Sequence, residues 1–210
     1  MGHGEKGRLV VISAPSGTGK STVCRRLRAA HDDIAVSVSY TTRAPRGSER
    51  DGAEYHFVDD ACFDRMIEAG EFLEWAEVFG KRYGSGRADV DQLLAEGKDV
   101  LFDIDVQGGA QIKEAVPEAV LIFLLPPSMD ELIRRLNLRG TESAAQMRKR
   151  LQKAVWELEQ SGQYDYLVVN DDLDRALARV NSIRRKAPDD TEKNTILVAE
   201  LVAQAHTLFD

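Results

Sequence analysis

Phosphate-binding chemistry is indicated by a run of small and polar residues that starts at position 14 and reads APSGTGKS. In a loop of this kind, the backbone N–H groups and the start of the following helix make a positive cradle for phosphate oxygens. Lys20 would bring a mobile charge to the terminal phosphates, and Ser21 would place a hydroxyl beside Mg²⁺. Ala14 stands where the pattern usually has glycine, and it fits there if its φ is negative. The residues expected at a nucleotide phosphate site are Ala14, Pro15, Ser16, Gly17, Thr18, Gly19, Lys20, Ser21 and Thr22.

The elements on either side must hold this loop between a strand and a helix. Residues 8–13 form an apolar, strand-like run, and an amphipathic helical pattern follows Lys20. Strand-like and helix-like segments then alternate with crossover-length connections, which predicts an α/β fold with a parallel sheet and helices on both faces. Ligands of such sheets bind beyond the carboxyl ends of the strands. We therefore expect the phosphate loop to lie close to an acidic pair, Asp103 and Asp105.

A different pattern occupies residues 37–90. Strand-like runs lie at 34–40, 54–58 and 71–78, the last with acidic residues on one face, whereas 80–86 reads as a glycine-rich loop. Short strands with charged connections differ from the alternating strands and helices on either side. This stretch is therefore predicted to be a small, sheet-rich insertion in the α/β core.

The composition narrows the classes of partner. The chain has 210 residues, 43% of them hydrophobic, which is enough for one sizeable core. Its net charge of −7 argues against general binding to nucleic acid or to a membrane surface. Cys24 and Cys62 are isolated, which favours reduced thiols over a disulfide or metal site, and no stretch approaches the roughly 18 apolar residues of a membrane-spanning helix. We expect a cytoplasmic protein that acts on small molecules, and its oligomeric state stays open.

Several motifs together resemble the guanylate kinase family. They occur in the order of that family between about Arg8 and Arg185, and a chance phosphate loop would not bring the others with it. The resemblance implies a P-loop core with a GMP-binding α+β insertion and a small helical lid. It also implies ATP and GMP as substrates and Mg²⁺ as cofactor. The segments that carry the resemblance are Ser37–Arg46, Phe72–Glu77, Tyr83–Ser85, Asp103–Gly108, Arg139–Thr141 and Val169–Asp172.

The resemblance places a GMP site in the insertion. Arg43 and Arg46 match the arginines that hold the acceptor phosphate, a task that suits their planar, paired donors. Tyr55 and Tyr83 would donate phenolic hydroxyls to the same phosphate. Glu74 matches the carboxylate that accepts hydrogen bonds from guanine N1–H and the exocyclic amine. The other residues assigned to the base are Ser39, Ser85 and Asp105.

The resemblance also assigns the donor side and the chemistry. Phosphoryl transfer needs charge neutralisation and two oxygens in line, with little covalent help. A GMP phosphate is ionised at pH 7, so no strong general base is required. Asn170 would approach the adenine, while Ser21 and, through water, Asp103 would hold Mg²⁺. The residues assigned to catalysis are Lys20, Arg43, Arg135, Arg139 and Arg150.

The expected organisation is a single domain with an insertion and a lid. We predict a domain over 1–210, its core at 8–36 and 91–210, the GMP-binding insertion at 37–90 and the lid at about 137–150. Lys20 and Arg43 are expected at exposed, ligand-facing positions. Arg82 stands where many relatives carry an aromatic residue, and we expect it to add positive potential near the acceptor.

Two other functions fit part of the pattern. A non-catalytic guanylate-kinase-like module that binds a protein would typically have lost phosphate-loop and lid residues, whereas Lys20, Ser21, Arg139 and Arg150 are all present. A related kinase with a sugar phosphate acceptor would leave the Glu74 carboxylate without a guanine partner. The leading hypothesis is ATP + GMP giving ADP + GDP, with dGMP as a further acceptor, in purine nucleotide metabolism and GMP recycling.

Overall fold

The computed structural model describes residues 6–137, 144–186 and 191–207. Contacts divide the chain into two compact units. The first contains the chain up to Val10, Asp32–Phe102 and Gln107–Ala119. The second contains Val11–His31, Asp103–Val106 and the chain from Val120 onward.

A five-stranded sheet carries the α/β part of the fold, in the order β2-β7-β1-β8-β9. Its strands are β1 (Leu9–Ser13), β2 (Ile34–Ala35), β7 (Asp99–Asp103), β8 (Val120–Leu125) and β9 (Tyr166–Val169). The pairs β2·β7 and β8·β9 are parallel, with Ile122 opposite Tyr166 at the start of the second pair. All residues of β1 and β8 are buried, as expected of parallel strands covered on both faces. The predicted parallel sheet flanked by helices is confirmed.

Five helices belong to the second unit as far as the structure describes it. They are α1 (Lys20–Ala30), α5 (Met129–Asn137), α6 (Ala144–Glu159), α7 (Leu173–Arg184) and α8 (Thr191–His206). Ser128 caps α5, since its hydroxyl accepts the Glu131 N–H at 3.2 Å. Helix α1 packs against α7, and α8 packs against both α6 and β9. This packing holds the helix that follows the phosphate loop.

A second, four-stranded sheet lies in the first unit, in the order β4-β3-β6-β5. Its strands are β3 (Tyr40–Thr41), β4 (His56–Phe57), β5 (Phe72–Val78) and β6 (Lys81–Gly86). The helices of this unit are α2 (Asp60–Glu68), α3 (Arg87–Ala95) and α4 (Val106–Ala115). Strands β5 and β6 are antiparallel neighbours, and no other strand among the described residues pairs with β5 in this sheet.

Two local predictions were wrong. The run 34–40 is not one strand: Ile34–Ala35 joins the first sheet and Tyr40 joins the second. The run 80–86 is not a loop, because Lys81–Gly86 pairs along its whole length with β5. Phe79 and Gly80 have positive φ of 52° and 71°, the conformation of a tight two-residue hairpin turn. Because this turn is only two residues long, the glycine-rich residues after it pair with β5 and form a strand.

Among the described residues, no helix is both long enough and apolar enough to cross a membrane. The predicted lid at about 137–150 lies partly outside the described residues, which leave out 138–143. The division into core, insertion and lid therefore stays a prediction.

Candidate functional site

The phosphate loop follows β1 and ends where α1 begins. Gly17 and Gly19 have φ of 94° and 98°, a region that L side chains rarely adopt. A Cβ at Gly19 would also lie 2.7 Å from Asn170 Nδ2, so the position requires glycine on two grounds. Ala14, at the usual glycine position, is not among the residues with positive φ, as its fit requires. A cavity of about 310 Å³ opens over the loop, with Asp105 and Glu157 in its wall.

Lys20 occupies the first position of α1 and reaches the end of β7. Its Nζ lies 2.8 Å from Asp103 Oδ1 and 2.6 Å from the Ile104 carbonyl oxygen. The ammonium is therefore held between the loop and the strand end, as the topology predicted for Asp103. Its side chain is 19% exposed rather than open to solvent.

Asn170 and Arg135 both hold the loop through one carbonyl. Asn170 Nδ2 donates to the Thr18 carbonyl oxygen at 2.6 Å, and Arg135 donates to the same oxygen at 3.1 Å. A second bond runs from Arg135 to the Asn170 carbonyl at 3.3 Å. Hydrogen bonds from Arg134 and Arg135 lower the pKa of Glu131 to about 2, so this carboxylate stays charged beside them. Here Asn170 supports the loop, and its role toward adenine stays a prediction.

Helix α6 brings two groups of opposite charge to the loop. Arg150 donates to Ser16 Oγ at 2.9 Å. Glu157 is 4% exposed and lies in the wall of the loop cavity. Burial raises the pKa of its carboxyl, against the lowering effects of Lys153 at 3.7 Å and of the Ser16 backbone N–H. Arg139, the other arginine assigned to the lid, lies outside the described residues.

In the first unit, one face of the β5–β6 hairpin gathers residues assigned to GMP. Glu74 stands opposite Ser85, and Ser85 Oγ donates to Glu74 Oε1 at 2.7 Å. Tyr83, two residues from Ser85 and so on the same face, meets Tyr55 edge-on with ring centroids 5.9 Å apart. This face therefore combines a carboxylate and a hydroxyl with two phenols.

A β-bulge puts Glu74 on that face. Phe72 stands opposite Gly86 and Glu74 opposite Ser85, so β5 uses one residue more than β6 at this point. The extra residue turns Phe72 to the other face, where its ring lies 4.5 Å from that of Phe63 on α2. Without the bulge, Phe72 and Glu74 would share a face, because side chains alternate along a strand.

Arg43 is buried, which corrects the expectation that it is exposed. It is 9% exposed and forms a bidentate pair with Glu49 at 2.9 and 3.0 Å. Its guanidinium also lies over the Tyr55 ring, 5.2 Å from the centroid. Glu49 accepts the Arg46 backbone N–H at 2.7 Å as well, and these bonds, that from Arg43 first, lower its pKa. The Arg46 side chain is exposed.

Arg82 does not serve the role expected for it. Its guanidinium is paired with Asp60 at 2.7 Å and with Asp64, both on α2, and it stacks over Phe63. These contacts occur because Arg82 follows the alternation of β6 onto the face opposite Tyr83. The two carboxylates neutralise its charge, so Arg82 binds the hairpin to α2 instead of adding positive potential at the acceptor.

The other two residues assigned to the base are Ser39 and Asp105, which belong to different units. Ser39 is half-buried just before β3, and its carbonyl accepts the His56 N–H at 2.9 Å. Asp105 belongs to the second unit, where it lines the loop cavity and its carbonyl accepts from Ser13 Oγ at 3.3 Å. Within the first unit the structure therefore groups Glu74, Ser85 and Tyr83 directly.

Comparison with known proteins matches these features to one family. The model of the guanylate kinase family matches residues 6–187. The chain belongs to the guanylate kinase family. It is 54% identical to a guanylate kinase of Neisseria meningitidis over 171 residues, which are 81% of this chain and 83% of that protein. It is also 54% identical to a guanylate kinase of Anaeromyxobacter dehalogenans, over 85% of this chain and 80% of the relative.

A solved guanylate kinase has a similar fold. The crystal structure of the Anaplasma phagocytophilum guanylate kinase superposes with a TM-score of 0.64 at 37% identity, covering 87% of this chain and 86% of that one. The match to a member of the guanylate kinase family supports the P-loop α/β fold described above.

The sequence interpretation missed three residues that contact or line the candidate regions: Glu49 and Gln111 in the first unit, and Glu157 in the second. Glu49 was one acid in a charged loop, and its spacing from Arg43 and Arg46 was the only available signal. Glu157 falls beside the apolar positions Ala154 and Leu158 of α6, so a buried carboxylate was detectable there. Gln111, which contacts β5, has no signal in the sequence because its partner is 36 residues away.

Proposed function

We propose that this chain is an ATP:GMP phosphotransferase that gives ADP and GDP. The observation that carries the proposal is the phosphate loop, with Lys20 held at its helix end, in a chain that the family model matches over residues 6–187. Family membership supplies the acceptor, and the loop supplies the means to hold a donor triphosphate.

On the donor side, the loop amides and the Lys20 ammonium would bind the phosphates of ATP. The proposed role of Lys20 is to neutralise charge that develops on the transferred group, since phosphoryl transfer depends on electrostatic stabilisation and positioning. Arg135 and Arg150 already contact loop atoms of Thr18 and Ser16. We propose that both also act on the phosphates, and the same role is proposed for Arg139.

On the acceptor side, Arg43 and Arg46 would hold the phosphate of GMP. A dianionic phosphate offers the planar guanidinium of Arg43 the same paired acceptors that Glu49 provides. Binding would therefore exchange one anion for another, and Glu49 would keep Arg43 oriented for this exchange. Tyr55 and Tyr83 would complete the phosphate site. A phosphate monoester has its second pKa near 6, so the attacking oxygen is ionised at pH 7 without a general base.

Guanine would be recognised by Glu74. A carboxylate can accept hydrogen bonds from both N1–H and the 2-amino group, whereas adenine offers a lone pair at N1 and lacks that amine. Ser85 fixes one carboxylate oxygen at 2.7 Å. Ser39 and Asp105 are proposed to complete the base site.

The residues at the loop fit Mg²⁺ as a cofactor that substrates help to bind. Ser21 offers a hydroxyl at the first turn of α1 and Asp103 a carboxylate, and Mg²⁺ prefers such oxygen donors. No group of three or more His, Cys, Asp or Glu side chains suited to a metal occurs among the described residues. A metal held by few protein groups, phosphates and water suits this donor set. When bound, it would supply positive charge to the phosphates of the donor.

The proposal is tested by a coupled assay of ADP release with ATP and separate acceptors. GMP should support rapid turnover, dGMP should be usable, and AMP should be a very poor acceptor. Absence of turnover with GMP, together with tight binding of a protein ligand, would favour the non-catalytic module instead. A cytoplasmic location stays a prediction from composition.

A further inference from the structure

The side chain of Gln111 on α4 is bonded to the backbone of β5. Gln111 Oε1 accepts the Trp75 N–H at 3.0 Å, and Gln111 Nε2 donates to the Trp75 carbonyl oxygen at 3.1 Å. Both residues belong to the first unit. One amide side chain therefore satisfies both backbone groups of a single strand residue.

The place of this contact is the open edge of the second sheet. In the part of the chain that the structure describes, β5 pairs with a strand, β6, on one side only. Along an antiparallel pair, residues alternate between those whose backbone groups face the neighbour and those whose groups face away. Trp75 faces away, since its N–H and carbonyl meet Gln111, and Glu74 and Ala76 on either side alternate toward β6. Gln111 thus takes the place that a further strand would occupy.

The contact lies one peptide bond from the residue proposed to read guanine. The backbone nitrogen of Trp75 is bonded covalently to the backbone carbonyl carbon of Glu74. Fixing the Trp75 backbone therefore fixes the C-terminal end of the Glu74 backbone. The bulge lies on its other side, between Phe72 and Glu74. A bulge interrupts the ladder and leaves the strand locally less constrained. Gln111 compensates for this loss of constraint at Trp75, the residue that follows Glu74.

We propose that Gln111 is a positioning residue for guanine recognition, because it clamps β5 at Trp75 and so sets where the Glu74 carboxylate stands. The proposal rests on the function proposed above, in which Glu74 binds the base. A displacement of about 1 Å at a recognition group can cost a large part of its effect. Gln111 itself does not touch the substrate in this account.

The variants Gln111→Met and Gln111→Glu test the clamp. Methionine keeps length and volume but forms neither bond, while an ionised glutamate can accept from the Trp75 N–H and cannot donate to the carbonyl. We expect the GMP KM to rise about tenfold in the Met variant and less in the Glu variant. The ratio of kcat/KM for GMP over AMP should fall by a similar factor, with kcat and the ATP KM within about threefold of wild type.

A matched control is Gln163→Met, which removes an exposed amide bonded to Gln160 in the second unit. It should leave all kinetic constants unchanged. Hydrogen exchange supplies a readout that does not depend on turnover: the Trp75 amide should be protected in wild type and should exchange faster in the Met variant.

The outcomes separate the clamp from the proposed function. A wild-type enzyme without activity toward GMP would overturn the function. An active wild type whose Met and Glu variants both keep the GMP KM and the GMP preference would overturn the clamp, whatever their melting temperatures. Loss of stability alone would assign Gln111 a purely structural role and would also overturn it. If the Met variant fails to fold, the Glu variant still decides between these outcomes.

Discussion

Two oxygen atoms fix the Lys20 ammonium, one on the Asp103 carboxylate and one on the Ile104 carbonyl. One is on the last residue of β7 and the other on the residue that follows it, so the charge is placed by the sheet as well as by the loop. Preorganised charge of this kind needs little rearrangement during the reaction, which is what makes it effective. The cost of its removal should therefore appear in the chemical step.

Replacing Lys20 with methionine should lower kcat at least about a hundredfold, a barrier increase of about 2.7 kcal/mol, because the side chain keeps its bulk and loses its charge. The GMP KM should change less than about threefold. Steady-state assays with ADP detection provide the measurement. Lys98→Met is the matched control, since Lys98 pairs with Glu96 at the surface at 3.1 Å, and it should behave as wild type. A Lys20→Met kcat within tenfold of wild type would contradict the assigned role.

Glu74 is the residue on which base selectivity is proposed to depend. A site built to pair polar groups rejects ligands that leave those groups unpaired by about 10⁴ or more. Glu74→Gln retains the shape and the oxygen that Ser85 contacts, but it puts an amide donor in place of a second acceptor. The ratio of kcat/KM for GMP to kcat/KM for AMP should fall at least about thirtyfold. The ATP KM should be unchanged.

The control for this change lies on the same strand. Glu77 is exposed and stands opposite Arg82, on the face away from Glu74. Glu77→Gln should keep the full preference for GMP. If Glu74→Gln also kept it, Glu74 would be an ordinary surface carboxylate and the base would have to be recognised elsewhere.

At the scale of elements, the β5–β6 hairpin carries most of the proposed acceptor site, and its packing against α2 depends on a glycine. Gly84 lies beneath Phe72 on the face that packs against α2. A Cβ there would stand 2.8 Å from Phe72 Cδ1 and 3.1 Å from Trp75 Cβ. A side chain at this position must therefore displace the Phe72 ring and the Cβ of Trp75.

The Gly84→Ala variant should lose about 1–3 kcal/mol in its free energy of unfolding, the usual cost of overpacking. Chemical denaturation followed by circular dichroism would measure the change. Gly162→Ala serves as the comparison, because a Cβ at Gly162 meets nothing within 4 Å. Equal stability of the two variants would show that the hairpin tolerates bulk against α2.

The elements differ in how far the sequence predicts them. Strands β1 and β8 are continuous apolar runs, and the loop of residues 14–21 has a local spacing that its function requires, so all three followed from sequence. Strand β6 has no alternating pattern, since Gly84 and Gly86 interrupt it, and only its pairing with β5 makes it a strand. The bulge in β5 likewise depends on its pairing with β6, so it cannot be predicted from the sequence alone.

The candidate site divides in the same way. Lys20, Glu74 and Arg43 were assigned to the candidate site because motifs specify their residue types. The burial of Arg43 and the pairing of Arg82 with α2 were not predicted, because both depend on acidic residues that folding brings near. Arg43 pairs with Glu49, and Arg82 pairs with Asp60 and Asp64. Contacts between residues distant in sequence decide such details, and spacing does not report them.

At the scale of the whole molecule, buried ionisable groups make stability sensitive to alkaline pH. Burial raises the pKa of Tyr164 to about 12, and the charges of Asp105 and Glu157 add to the effect. Burial likewise raises the pKa of Cys24 to about 12. Each group favours its neutral form in the folded state. Their contribution is fully present below the unfolded pKa values, near 9 for Cys24 and 10 for Tyr164, and is lost as pH rises toward 12.

The free energy of unfolding should therefore fall between pH 9 and pH 12. Tyr164→Phe should remove part of this fall, about 1.4 kcal/mol by pH 11, because phenylalanine has no proton to lose. Urea unfolding at pH 8, 9.5 and 11 provides the measurement. Tyr166→Phe on β9 is the control and should follow the wild-type curve. Identical pH dependence in all three proteins would show that Tyr164 does not govern alkaline unfolding.

The segment from Asp103 to Gln111 supplies contacts to two different residues, Lys20 and Trp75. Its first residues hold Lys20, and Gln111, within α4, holds Trp75. Successive residues of a helix are 100° apart, so one residue inserted between Gln107 and Gln111 would rotate the amide away from β5 relative to the first turn of α4. The number of residues between these two positions is therefore constrained independently of their identities. Relatives that keep both contacts should show no insertions or deletions here, even where each individual residue has been exchanged.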